Sequence, residues 1–331
     1  MAAYTGIQGQ NILIVSSDPA NPTEGQIWYN TTSQTLKDYQ NFASNSWATG
    51  GTMNTARSAL GNAGIQTAAL GFGGSSTTPP FNAANNESYN GTSWTELNDL
   101  NSARSGAGSA GTQTSALFFG GNPGAGATGA TESWSGSSWT ELNDLNTVRF
   151  QMMGCGATNT SALGFGGIQS PSVPSITGVT ESWNGTSWTE VNDLNTARRL
   201  GSGTGISTAA LCFGGATTGG VVGNNETWNG TSWTELNDLN TTRRNAGGAG
   251  SNTAALAFGG FLPPDAVTAA TETWNGTSWT TTTSMATARG ELGGAGTNTV
   301  GLAFGGGTPS LTGVTEEWTG TVLATRTITT S

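Results

Sequence analysis

The chain has 331 residues, of which 9% are charged and 52 are Gly; its formal net charge is −10, with one lysine, Lys37, and no histidine. So few charges do not suit a solvated helical surface, and an acidic chain lacks the clustered Lys and Arg that bind nucleic-acid phosphates. The absence of histidine removes the commonest general base and metal ligand, so no metal or other cofactor is expected.

The first residues, MAAYTGIQGQNILIVSS, contain no basic n-region and no long apolar run, so no signal peptide is expected. No stretch approaches the roughly 18 apolar residues of a membrane span. Ile12 to Val15 read as one short strand and SSDPANPTE as a proline-punctuated linker. Residues 25–47, GQIWYNTTSQTLKDYQNFASNSW, read as a hairpin followed by a Trp strand. Arg57 follows Trp47 by ten residues, and Arg104 follows Trp94 at the same interval, so a repeat has begun by Trp47.

From there the register holds. The second aromatic of each pair is Trp94, Trp139, Trp188, Trp233 and Trp279, and Gly-Gly doublets follow Phe72, Phe119, Phe165, Phe213, Phe258 and Phe304 at spacings of 45 to 48 residues. A fixed period of this size marks a propeller or a solenoid. Each period offers four short β candidates and no helical periodicity, which selects the propeller. The first strand is small and Gly-rich (GSGTGI, GGAGSN), the second apolar (AALCF, AALAF), the third carries Glu-x-aromatic, and the fourth starts at the second Trp. Blades are wedges about an axis, so small residues suit the inner strand and Trp the wider gaps outside. W-N-G-T-S-W places Asn-Gly between two strands, a strong hairpin signal that also explains the glycosylation-like NGT and NGS at Asn90, Asn184, Asn229 and Asn275.

Six doublets give the expected fold: an all-β, six-bladed propeller over residues 46–331 with four-stranded blades, preceded by an N-terminal extension, 1–45, that docks it or helps close the ring. The last blade takes its outer strand from Trp47 or from residues 321–330; Trp47 keeps the register. Cys155 and Cys212 are expected as buried free thiols in a chain made in a reducing cytoplasm.

The order strand, Gly-Gly, variable loop, aromatic, Trp, Arg resembles the kelch repeat, with Gly259, Gly260, Trp274, Trp279 and Arg289 as one matching set over residues 47–320. It departs from kelch in using Trp for the usual tyrosine and in a shorter turn between third and fourth strands. The segment DPANPTEGQIWYNTTSQTLKDY resembles short modules of tailed-bacteriophage virion proteins, of the pattern Gly-x-x-Trp-Tyr-Asn followed by Leu-Lys. That resemblance implies a kelch-like virion structural protein, non-enzymatic, present in several copies as an appendage, tail fibre or capsid decoration. Its partners would be other virion proteins. The alternative is an adhesin for host-surface glycan.

Two repeated sets carry charge. Glu87, Glu132, Glu181, Glu226, Glu272 and Glu316 stand two residues before the third-strand aromatic, and Arg57, Arg104, Arg149, Arg198, Arg243 and Arg289 precede the Gly-rich strand. Equal numbers at fixed positions read as structural ion pairs; the alternative is a charged ring at the channel mouth. The ELND carboxylates (Glu96, Asp99, Glu141, Asp144, Glu190, Asp193, Glu235, Asp238) read as solvated turns rather than acid–base pairs. The loops after Gly-Gly break the repeat. Phe81, Ile168, Val173, Ile176, Val221, Val222, Phe261 and Leu262 there suggest an apolar contact rim, with ordinary loop drift as the alternative.

Overall fold

A computed structural model describes residues 12–41, 45–77, 79, 81–169, 175–321 and 323–328; Val173 lies outside them. Among the described residues every regular element is a strand, and no helix is long and apolar enough to cross a membrane. The chain divides into two compact units, Ser46–Trp318 and a second built from both ends, Met1–Asn45 with Thr319–Ser331. The larger unit therefore stops at Trp318, short of the C-terminus.

Within the larger unit the described residues form six four-stranded sheets, a β-propeller-like arrangement. Five are meanders in chain order; Ser202–Ile206, Ala209–Phe213, Asn225–Trp228 and Trp233–Leu236 make one of them. The sixth joins Gly293–Gly296, Val300–Phe304 and Thr315–Thr319 to Ser46–Thr49. Its outer strand thus carries Trp47, from the start of the unit.

The size gradient across each sheet has a packing cause. Each Gly-rich strand lies against that of the next sheet, and Gly293–Gly296 lies against Gly61–Ile65. A Cβ at Gly248 would stand 3.0 Å from both Phe213 and Thr204 of the preceding sheet, so only a small residue permits that approach. Further out, the second-strand Phe of each sheet packs on the fourth-strand Trp of the next. Phe72–Trp139, Phe119–Trp188, Phe165–Trp233, Phe213–Trp279 and Phe258–Trp47 have ring centroids 4.7–5.2 Å apart, and Phe304–Trp94 repeats the contact between the sixth sheet and the first at 4.9 Å. Each fully buried Trp removes roughly 200 Å² from water, which at about 25 cal/mol per Å² is at most about 5 kcal/mol.

Polar atoms on these rings are matched across the same gaps. The indole nitrogens of Trp94, Trp188, Trp233 and Trp47 donate to the Oγ1 atoms of Thr315, Thr131, Thr180 and Thr271, at 2.9–3.1 Å. In the Trp139 and Trp279 gaps the Thr position holds Asn86 and Asn225, and there the indole N–H and the Asn Oδ1 are both buried without a hydrogen bond. Gly-Gly turns the chain out of each second strand: Gly259 and Gly260 have φ of 65° and 104°, and Gly260 N–H donates to the Arg289 carbonyl at 2.8 Å.

In the unit made from the chain ends, Leu13–Val15 pairs parallel to Ile27–Asn30, which forms a hairpin with Thr35–Asn41; Leu323–Thr327 then adds antiparallel to Thr35–Asn41. Among its described residues Trp28 and Leu36 are the buried apolar ones. Asp18 ties it together, accepting from Lys37 Nζ at 2.6 Å, Asn30 Nδ2 at 2.7 Å and Trp28 Nε1 at 3.0 Å. These bonds, Lys37 first, hold its carboxyl down at about 2.

Candidate functional site

The six repeated glutamates and six repeated arginines meet one to one: Arg57–Glu87, Arg104–Glu132, Arg149–Glu181, Arg198–Glu226, Arg243–Glu272 and Arg289–Glu316. All twelve side chains are 0–2% exposed. They lie inside the sheets and form no charged ring at a mouth. Each carboxylate also receives the chain arriving from the previous sheet. Glu272 accepts from Asn240 N–H at 2.8 Å, Asn240 Nδ2 at 2.9 Å and Thr241 N–H at 3.3 Å, while Arg243 donates at 2.6 Å to Glu272 and at 2.7 Å to the Ala270 carbonyl. In the sixth sheet Ala286 replaces that Asn, so Glu316 accepts only the backbone donors Ala286 N–H and Thr287 N–H beside Arg289. Burial pushes the Arg289 guanidinium down to about 10, against the pull of Glu316, and leaves it charged at neutral pH.

The other charged candidates stand apart. The ELND carboxylates are exposed, with each Glu in the outer strand of one of four sheets and each Asp just beyond it. The turn asparagines are absorbed by the backbone, as Asn229 Oδ1 accepts from the N–H groups of Thr231 and Ser232 at 2.9 Å. Cys155 and Cys212 are free and buried, and burial pushes both thiols up. Among the described residues no group of three or more Cys, Asp and Glu is arranged to hold a metal.

The apolar residues of the loops after Gly-Gly differ in exposure. Ile168 is 6% exposed, and Ile176, Val221, Val222, Phe261 and Leu262 are half-buried. The physical reason is that these loops form small hairpins of their own. Ile168 pairs with Ile176, Ala216 with Val221, and Phe261 with Val267, so the apolar side chains cover one another. Phe81 alone of the described candidates is open, at 61% exposure, and its φ of 66° is costly for an aromatic residue.

The feature most unlike the rest of the repeat lies where the Gly-rich strands begin. Two residues beyond the paired arginines stand Ala59, Gly106, Gln151, Leu200, Asn245 and Glu291, with φ of 49°, 61°, 51°, 57°, 54° and 58°. Their backbones are joined between sheets. Gly106 N–H donates to the Ala59 carbonyl at 3.0 Å, Leu200 to Gln151 at 3.0 Å, Asn245 to Leu200 at 2.7 Å, Glu291 to Asn245 at 2.9 Å, and Ala59 to Glu291 at 2.9 Å. This geometry costs an L-residue about 1 kcal/mol or more and costs Gly nothing comparable. All six line one cavity of about 270 Å³, together with Asn62, Ser105, Ser109, Asn122 and the half-buried Phe150. A smaller cavity of about 100 Å³ continues from it between the Gly-rich strands, the two sharing Asn62, Ser109 and Gly154.

These residues were not singled out from the sequence, although a signal was present. The position two after each Arg holds six different residue types in six copies, inside text that otherwise barely changes.

No protein-family model matches the chain, and no curated protein matches it in sequence at a significant level.

Proposed function

We propose that the larger unit is a six-bladed, kelch-like propeller and that the chain is a non-enzymatic structural protein of a tailed-bacteriophage virion, a rigid platform for contacts with other virion proteins. The observation that carries this reading is the sheet built from both chain ends. The phage-like motif there is a folded object: Trp28, Asn30 and Lys37 all donate to Asp18, and Leu36 is buried. A sheet that pairs Thr35–Asn41 with the distant segment Leu323–Thr327 suits a rigid part that is mounted on an assembly. The repeated charges favour the same reading, because the paired Glu and Arg residues are consumed in holding sheets together. Quantitative mass spectrometry of purified particles tests it: the reading requires this chain at a fixed copy number beside the other structural proteins, and its absence from particles refutes it.

A further inference from the structure

We propose that the 270 Å³ cavity ringed by Ala59, Gly106, Gln151, Leu200, Asn245 and Glu291 is a binding site for one neutral sugar ring, such as the terminal residue of a glycan. Five of these six positions keep a side chain in a backbone conformation that favours Gly. The chain uses Gly at 52 positions, and Gly106 shows that Gly fits this one. Retaining Gln, Leu, Asn and Glu there works against folding. Strained residues gathered around one cavity point to use of their side chains.

The polar groups are held in place before any ligand arrives. Glu291 Oε2 accepts from Ser58 Oγ at 2.8 Å and Oε1 from Asn245 Nδ2 at 3.3 Å. Each carboxylate oxygen keeps a second lone pair, and the two together match adjacent hydroxyls of a pyranose. Asn245 has given its N–H to Glu291, so its carbonyl oxygen remains to accept. Gln151 is set the opposite way: its Oε1 accepts from Arg199 at 2.8 Å, which leaves its NH₂ to donate. Leu200 and Phe150 add apolar surface for the C–H face of a sugar.

Charge and size exclude the competitors. Glu291 is the one charged residue of the lining, which repels phosphate and acidic sugars, and a single carboxylate is too few for a divalent cation. The volume lies at the low end for small-molecule sites, roughly 300 Å³, and suits one ring. This site is distinct from the loops after Gly-Gly and does not rest on the virion reading.

The test uses the full chain and four free sugars: glucose, galactose, mannose and N-acetylglucosamine. Saturation-transfer NMR and calorimetry should detect at least one, with Kd near or below about 1 mM. Glu291→Gly should fold, because Gly106 occupies the equivalent place, and should weaken that binding at least tenfold. Phe81→Asn relieves the same kind of backbone strain outside the cavity lining; it should raise Tm and leave binding unchanged. The proposal is overturned if no sugar binds at about 10 mM, or if Glu291→Gly binds as well as the parent chain. Particle composition is a separate readout, so either idea can fail alone.

Discussion

Replacing Arg243 with Ala isolates the repeated ion pair. The change removes a guanidinium that is 0% exposed, its 2.6 Å bond to Glu272 and its 2.7 Å bond to the Ala270 carbonyl. Glu272 stays buried without its cationic partner, but it keeps three donors, Asn240 N–H, Asn240 Nδ2 and Thr241 N–H. A buried pair broken from one side costs about 3–5 kcal/mol, and the retained donors place this variant near the lower end. Arg289→Ala should cost more, because Glu316 would keep only two backbone donors. Urea denaturation at pH 7 measures both, and for a unit of this size the Arg243 variant should lose roughly 5–15 °C in Tm. Adding Glu272→Gln to Arg243→Ala should recover about 1 kcal/mol or more by removing the stranded carboxyl group. A cost below about 1 kcal/mol for Arg243→Ala, or a smaller cost for Arg289→Ala than for Arg243→Ala, would refute the account.

Three further outcomes follow from particular atoms. Asn86→Thr and Asn225→Thr give the unpaired indoles of Trp139 and Trp279 the hydroxyl that four other sheets supply, and each should add about 1 kcal/mol in a denaturant melt; no gain in either means the orphaned N–H is not costly. Asp18 has a folded-state value of about 2, below its unfolded value near 4, so its contribution is complete above about pH 4 and fades as pH falls towards 2. The Trp28 indole NMR signal should report that loss in the parent chain, while Asp18→Asn should weaken the unit already at neutral pH; a Trp28 signal unmoved between pH 4 and 2 contradicts it. Phe81→Asn relieves a φ of 66° at an exposed site and should stabilise by about 1 kcal/mol; if particles still incorporate this variant normally, Phe81 is no docking residue.

Much of the fold was legible because repetition multiplies weak signals. One W-N-G-T-S-W is a hairpin cue, whereas six Trp-to-Arg intervals of ten residues fix strand order, turn and register together. The Glu and Arg sets were legible as sets for the same reason. What could not be read was partnership in space between positions far apart in sequence. The Trp-to-Arg register pointed to Trp47 as the strand that completes the sheet of Gly293–Gly296, and it does, but nothing local tells that Leu323–Thr327 adds to Thr35–Asn41. The loops misled for a different reason. Apolar residues such as Ile168 and Ile176 look exposed in a Pro- and Gly-rich segment, yet two-residue pairings suffice for them to shelter each other.

The axial residues show what repetition hides. A position shared by six copies is under a common structural demand, and here the demand is a left-handed backbone that Gly meets most cheaply. If the backbone were the whole requirement, Gly would recur there as it does in the twelve residues of the Gly-Gly doublets. Instead one copy in six has it, and the others differ from one another. Six strands converging on one cavity bring these unlike side chains within reach of a single ligand, which can read all six at once. In such a chain the uniform positions report how it stands up. The positions where the copies disagree, and disagree against their own conformational preference, are where a specific contact is to be sought.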